Sequence, residues 1–253
     1  MEHFFGINRL TSAVNPNLRL SESELLTFHN ACKKISQHVP VQYVIGKTEF
    51  CGLSFEVNSS TLIPRPETEQ LTQLILKNLP AAPLRILDFG TGSGCIAVTL
   101  KKERPDCELF ACDISETALQ TAQKNAETHH APVHFFHCNI LSSAELLNIP
   151  KPDVIVSNPP YVCLSEKKAM RPNVLLHEPE TALFVEDENP LLFYKSIAKL
   201  TENQLINGGK IFFEINEKFG EEVSEILRQH GFINVIVEND LCGKARFVHA
   251  ENQ

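Results

Sequence analysis

Leu84-Arg85-Ile86-Leu87-Asp88-Phe89-Gly90-Thr91-Gly92-Ser93-Gly94-Cys95 decides the fold class of this 253-residue chain. Residues 84–89 read as a buried strand. The glycines that follow form a tight turn, and Cys95 opens a helix that runs to Arg104. Glycine permits positive φ and lets a ligand approach the backbone closely. Outward from this unit, strand and helix signals alternate. Residues 107–113, 133–138 and 153–156 read as strands. Residues 116–129 read as a helix and 141–147 as a short one. A long irregular stretch, 161–188, precedes a helix at 191–206 that Gly208-Gly209 stops. A strand at 210–215, a helix at 220–230 and strands at 234–238 and 246–249 close the chain. Alternation of this kind predicts an α/β domain with a mostly parallel sheet covered on both faces. Loops as long as 161–188 are uncommon and usually functional.

Towards the N-terminus the pattern changes. Residues 1–46 read as a separate helical piece. Ser21 and Glu24 have the spacing of a capping box, Leu25, Leu26, Phe28, Cys32 and Ile35 form a rough apolar stripe, and Pro40 ends it. It is too small to bury much core alone and is expected to pack on the main domain or dock a partner. Residues 48–58 read as a β-hairpin turning at Cys51-Gly52. Pro66 suits the first position of a helix, with Glu67 and Glu69 in the first turn and Leu71, Leu74, Ile75 and Leu79 on its buried face. The expected division is a helical piece at 1–46, a hairpin linker at 47–60 and the α/β domain at 61–253.

The residues around the glycine turn narrow the ligand. Their spacing is Gly-x-Gly-x-Gly, not the Gly-x-Gly-x-x-Gly of dinucleotide folds. Asp88, just before the turn, would repel pyrophosphate and attract a sulfonium or ammonium group. S-adenosylmethionine therefore fits better than NAD or ATP. Asp113 ends the second strand, where a carboxylate accepts from both ribose hydroxyls; it also suits a helix N-cap region, with Ser115 as the cap. Asn139 and Ile140 follow the third strand, placed to meet an adenine amine and wall its ring. All lie at carboxyl ends of neighbouring strands, where open α/β sheets bind ligands.

The fourth strand ends at Asn158-Pro159-Pro160-Tyr161. Two prolines fix φ and remove donors, giving a stiff backbone with an amide on one flank and a phenol on the other. The carbonyl oxygens of Asn158 and Pro159 can accept from a planar NH2 group, and Tyr161 can pack against its plane. A proline-rich turn after a strand is the plain alternative for these residues.

Composition bounds the partners. Hydrophobic content is 43%, charged content 21% and net charge −8. Lys and Arg are scattered, without the basic stripe that grips a nucleic-acid backbone. The eight cysteines form no Cys-x-x-Cys pair and read as reduced thiols of a cytoplasmic protein. His134 and His137 lie three apart on a strand and face opposite ways, so no metal site is expected. The first residues lack a signal-peptide pattern, and no run is apolar and long enough to span a membrane.

Taken together, these residues resemble the class I methyltransferases with an Asn-Pro-Pro-Tyr motif. More closely, the chain is similar to the HemK/PrmC family of N5-glutamine methyltransferases. The resemblance lies in Gln42-Tyr43-Val44-Ile45-Gly46, Glu49-Phe50-Cys51-Gly52-Leu53, Leu62-Ile63-Pro64-Arg65-Pro66-Glu67-Thr68-Glu69, the loop from Asp88 to Gly94, Asn158 to Val162, and His177-Glu178-Pro179. It implies a Rossmann-like, seven-stranded S-adenosylmethionine-dependent enzyme. The cofactor would lie on Asp88, Gly90, Thr91, Gly92, Ser93, Gly94, Asp113, Asn139, Ile140 and Asn158. Asn158 to Tyr161 would hold the substrate, with Arg65, Glu67 and Glu69 near cofactor or substrate. The implied target is the Gly-Gly-Gln glutamine of bacterial class I peptide chain release factors, acted on by a monomer. The chain departs from the family pattern in a short region before Gln42, in Asn139 where Asp is usual, in Ile140 where an aromatic is common, in Glu188-Asn189-Pro190 and in Asn216 where Gly is frequent. One rival is an adenine-N6 or guanine-N2 methyltransferase, which would have to flip a base; another is a cofactor-binding protein without turnover.

Overall fold

The computed structural model describes residues 1–142 and 149–253; the short helix expected at 141–147 falls largely on residues outside these. A seven-stranded sheet organises the described residues. It comprises β3 (Arg85–Phe89), β4 (Glu108–Asp113), β5 (His134–His137), β6 (Val154–Ser157), β9 (Lys210–Glu214), β10 (Phe232–Asn239) and β11 (Ala245–Asn252). Their order is β10-β11-β9-β6-β3-β4-β5. All neighbours are parallel except β11, which is antiparallel to both β9 and β10. The closing strands are longer than the sequence suggests. Asn234, at φ 52°, sits in a register shift between Ile233 and Ile236, an irregularity that hides the strand period.

The chain runs outward from β3 through β4 to β5, then returns to β6 on the other side of β3. The strand order therefore reverses between β3 and β6. Their carboxyl ends diverge into different loops there, which opens the crevice where such sheets bind ligands. The alternating faces of the strands build two cores. Leu87, Phe89, Ile155, Ile211 and Phe213 pack with α9 (Leu192–Gln204) and α10 (Gly220–Gln229), while Ile86, Leu109, Val154, Val156 and Phe212 pack with α5 (Pro66–Asn78) and α6 (Cys95–Glu103). Leu71 and Ile75 are buried as expected; Leu74 and Leu79 are only partly so.

The hairpin forms from β1 (Lys47–Phe50) and β2 (Leu53–Glu56). Cys51 and Gly52 both take positive φ, 48° and 76°, the conformation that a two-residue hairpin loop favours because it matches strand twist. Phe50 and Phe55 are fully buried and meet edge to face at 6.0 Å. Asn125, on α7 (Glu116–Thr128), ties the hairpin to the glycine turn. It accepts from the Glu56 amide at 2.7 Å and donates to the carbonyls of Glu56 at 3.0 Å and Ser93 at 2.9 Å.

The helical piece is looser than the expected apolar stripe implies. Its main helix, α3 (Glu22–Ser36), has the predicted capping box of Ser21 and Glu24. Yet Leu25, Leu26 and Ile35 are 58%, 61% and 47% exposed, and Ala31 is the buried residue of the helix. Because the stripe meets so little of the main domain, the piece contributes little burial to the cores.

Asn125 is 1% exposed and makes three hydrogen bonds across two elements. Replacing Asn125 by Ala leaves the buried Ser93 carbonyl and the partly buried Glu56 backbone groups without these bonds. This should lower the unfolding free energy by about 3 kcal/mol, as measured by denaturant titration.

Candidate active site

The crevice between the two halves of the sheet is a cleft of about 360 Å³. Gly90, Gly92, Asp113, Asn139, Ile140, Asn158 and Pro160 line it, together with Leu62, Pro179, Ala182 and Phe184 from segments that close over it. Six of the expected cofactor residues thus meet in one place: Gly90, Gly92, Asp113, Asn139, Ile140 and Asn158. The other four support the loop from behind. Asp88 is fully buried, and its Oδ2 accepts from the Thr91 hydroxyl at 2.7 Å. Thr91 and Ser93 are also buried. At Gly94 an added Cβ would stand 3.0 Å from the Cβ of Ala122, so this glycine allows α6 and α7 to approach closely.

Gly90 and Gly92 have positive φ, 71° and 56°, and a Cβ on either would meet nothing within 4 Å. They present bare backbone to the cleft. Asp113 braces the turn: its Oδ2 accepts from Gly92 N–H at 2.8 Å and its Oδ1 from Ser115 N–H at 2.9 Å. Ser115 caps α7 by accepting from Ala118 N–H. Burial raises the Asp113 carboxyl, and the backbone donors offset part of that. Asn139 turns its Oδ1 to Leu141 N–H at 3.0 Å. Its side chain therefore shapes the turn after β5 while also lining the cleft.

Beside the cleft lies a second, smaller cavity of about 40 Å³, lined by Leu62, Arg65, Asn158, Pro159, Tyr161, Val162, Ala182, Leu183 and Glu214. That volume holds a head group of a few heavy atoms, since one water needs roughly 10–15 Å³ by the same measure. Asn158, Leu62 and Ala182 line both spaces, so Asn158 stands in the wall between them. Asn158 donates through Nδ2 to Thr68 Oγ1 at 3.1 Å, Thr68 donates to Glu214 Oε2 at 2.8 Å, and the Tyr161 phenol donates to Glu214 Oε1 at 2.9 Å. Thr68 and Glu214 are 3% and 1% exposed.

The segment 161–188 folds over this cavity. Its β7 (Val162–Cys163) and β8 (Phe184–Val185) pair in parallel. Glu178, whose carboxylate is fully buried, pairs with Arg65 at 2.6 Å and accepts from Ile63 N–H at 3.2 Å. Asn216 donates to the Tyr161 carbonyl at 3.2 Å and to Glu166 at 2.9 Å. The asparagine that replaces the expected glycine thus braces the loop. Glu69 is engaged elsewhere: it accepts from Cys51 N–H at 2.6 Å and pins the hairpin turn. Glu67 lines neither cavity. Reading the sequence missed Thr68, Glu214 and the partner of Glu178. Glu214 ends a strand and Thr68 sits in the first turn of a helix, and neither spacing signals that the two meet.

Comparison with known proteins bears on the fold and the family. Residues 65–186 match the methyltransferase small domain family and residues 1–46 the PrmC N-terminal domain family. The solved methyltransferase from Pyrococcus furiosus superposes with a TM-score of 0.60 at 17% identity, covering 91% of this chain and 98% of that one. The Thermus thermophilus 16S rRNA N2 G1207 methyltransferase, solved with AdoMet and guanosine, gives 0.56 at 16% identity over 82% of this chain and 50% of that one. At such identities the likeness concerns the fold, which with the sheet order is that of a class I methyltransferase. Curated relatives fix the family. The release factor glutamine methyltransferase of Flavobacterium psychrophilum is 44% identical over 98% of this chain and 88% of its own length, and that of Bacteroides thetaiotaomicron 43% identical over 97% and 87%. The chain belongs to the release factor glutamine methyltransferase family.

Burial pushes the Asp88 carboxyl up to about 7, with the Thr91 hydroxyl and the Ala97 amide offsetting part of the cost. Its Oδ1 is buried without a hydrogen bond. A carboxyl raised on folding stabilises the fold below its unfolded value of about 3.9. That contribution is lost as pH rises through about 7. Between these limits the wild type should lose up to about 1.4 kcal/mol of stability per pH unit relative to Asp88→Asn. Denaturant titrations of both proteins from pH 4 to pH 8 check this.

Proposed function

We propose that this protein transfers a methyl group from S-adenosylmethionine to the side-chain amide nitrogen of the glutamine in the Gly-Gly-Gln loop of bacterial class I release factors. One observation carries the reading: Asn158 stands in the wall shared by a cofactor-sized cleft and a cavity sized for a small polar head group. Family membership supplies the substrate class. The cleft suits S-adenosylmethionine on its own terms. The glycine backbone is open to it, and the Asp113 carboxyl lines that end of it.

When bound, the cofactor supplies an electrophilic methyl group on sulfur. The residues of the chain do the rest. An amide nitrogen is a poor nucleophile because its lone pair is delocalised into the carbonyl. Asn158 Oδ1 and the Pro159 carbonyl accept its two N–H bonds, raise electron density on nitrogen and aim it across the wall. Holding two reactants in line lowers a barrier by several kcal/mol, up to roughly 7–11 in the best cases. Tyr161, tied at its hydroxyl by Glu214 and at its carbonyl by Asn216, walls the amide pocket. Transfer would form the carbon–nitrogen bond as the carbon–sulfur bond breaks with its electron pair kept by sulfur, and the surplus amide proton would pass to solvent.

Residues 1–46 act in docking the factor, the enzyme works as a monomer in the cytoplasm, and nucleic acid is not gripped directly. The net charge of −8 and the scattered Lys and Arg favour protein over nucleic acid as partner. Among the described residues no helix is long and apolar enough to cross a membrane.

The test offers labelled S-adenosylmethionine to three acceptors: a release factor, the same factor with its Gly-Gly-Gln glutamine replaced, and bulk DNA plus rRNA. Label is expected on the intact factor alone; label on nucleic acid only would overturn the substrate assignment. Asn158→Ala should lower kcat by on the order of 10²–10³, as loss of a polar transition-state contact does, and turnover near the wild-type rate would remove its role.

A further inference from the structure

We propose that Thr68 and Glu214 are positioning residues that decide which way the Asn158 carboxamide faces, and hence whether the site presents an acceptor to the substrate nitrogen. The inference rests on the glutamine-methylation reading and assigns two further residues to that same site.

An asparagine head group is nearly symmetric in shape but not in chemistry: one end accepts and the other donates. Only the orientation with Oδ1 towards the amide pocket can receive an N–H bond there. Shape alone does not choose between the two orientations; hydrogen bonding does. A hydroxyl carries a single proton. Thr68 gives its proton to Glu214 Oε2 at 2.8 Å, so towards Asn158 it can only accept, and it takes the Nδ2 proton at 3.1 Å. The Tyr161 phenol commits its proton to Glu214 Oε1 at 2.9 Å. Both oxygens of Glu214 therefore receive side-chain protons, as suits an ionised carboxylate, which only accepts. The direction of every bond in the chain from Asn158 through Thr68 to Glu214 follows from that one terminal charge.

The surroundings hold this arrangement. Thr68 is in the first turn of α5, and Thr72 donates to its carbonyl at 3.0 Å. Glu214 ends β9, and its own carbonyl accepts from the Tyr194 hydroxyl of α9 at 3.0 Å. Both partners are buried, so water does not compete for their protons. The charged and titratable groups facing Glu214 are Tyr161, Arg246 of β11 and Glu67 of α5, together with Tyr194. Burial raises the Glu214 carboxyl above the ordinary glutamate range, Glu67 adds to this, and Arg246 and the two hydroxyl donors oppose it. As pH falls through that raised value, a proton on Glu214 turns one accepting oxygen into a donor. Thr68 can then reverse, and the orientation of Asn158 is no longer fixed. An amide at position 214 does the same at every pH.

The experiment uses the full chain and the variants Glu214→Gln, Thr68→Val and Thr68→Ser. Three readouts are taken: kcat and KM with a release factor as acceptor, calorimetric binding of S-adenosylmethionine alone, and NMR of the Asn158 side-chain NH2 in the ligand-free protein. In the wild type one Nδ2 proton should be protected from exchange, and Thr68→Val should remove that protection. Glu214→Gln and Thr68→Val should each lower kcat by at least about tenfold, the scale of a misoriented reacting group. Cofactor affinity should stay within about twofold, and Thr68→Ser, which keeps the hydroxyl, should stay within about threefold of wild-type kcat. The acid limb of the wild-type kcat profile should vanish in Glu214→Gln. Wild-type kcat in both Glu214→Gln and Thr68→Val, or equal protection of Asn158 in wild type and Thr68→Val, overturns the proposal. So does a loss confined to cofactor affinity or to the folded fraction. If the wild type labels nucleic acid and not the factor, the substrate reading fails separately. The same variants are then scored on that acceptor, whose exocyclic amine needs the same carbonyl.

Discussion

The Ser157 hydroxyl donates to the Phe89 carbonyl at 2.8 Å, and both residues are buried at the carboxyl ends of paired strands. The next residue on one strand is Gly90 and on the other Asn158. This bond clamps β3 to β6 where the strand order reverses, so the glycine turn and the loop at Asn158 start side by side. Everything in the site inherits its spacing from that junction. Gly90 and Thr91 are held on the other side, where their amides donate to the Cys112 carbonyl at 2.9 and 3.0 Å. The glycine turn is thus fixed between its two neighbouring strands before any ligand arrives.

Around this junction buried acids act as local organisers. Asp88 holds the turn from below through Thr91. Glu178 gathers Arg65 and the Ile63 amide under the segment 161–188, and Glu214 collects Thr68 and Tyr161. A buried carboxylate is costly unless its oxygens are satisfied; Glu178 and Glu214 have both oxygens paired, and these hydrogen bonds fix the geometry of their donors. The same site would be looser if these groups were apolar. Glu178 and Glu214 link segments far apart in sequence: 113 residues separate Arg65 from Glu178, and 146 separate Thr68 from Glu214.

The N-terminal helical piece contrasts with this. Hydrogen bonds join it to the segments around the cleft: the Tyr43 hydroxyl donates to the Thr61 carbonyl at 2.6 Å, and the His177 ring meets the Gln37 carbonyl at 3.1 Å. With Leu25, Leu26 and Ile35 exposed, this piece is attached at one end to the segments that close the site. Attached in this way, it adds little to the core.

Much of this was legible in the sequence. The alternation of strands and helices, the capping box at Ser21, the hairpin turn at Cys51-Gly52 and the loops at Gly90 and Asn158 all follow from short-range rules of period, capping and backbone freedom. Those rules act within a few residues, so the chain itself determined most of its elements and its fold class, and it placed Gly90, Gly92, Asp113, Asn139, Ile140 and Asn158 among ten candidates for the cleft. It did not determine which of the glycine-loop residues face the cleft: Thr91, Ser93 and Gly94 turn inward because the sheet and α7 lie behind them. Nor did it determine that Glu69 serves the hairpin, that Asn216 braces the loop, or that Thr68 and Glu214 meet behind Asn158. These were decided by the tertiary structure, because a hydrogen bond depends on distance in space and direction of protons, and no local pattern encodes either across 146 residues.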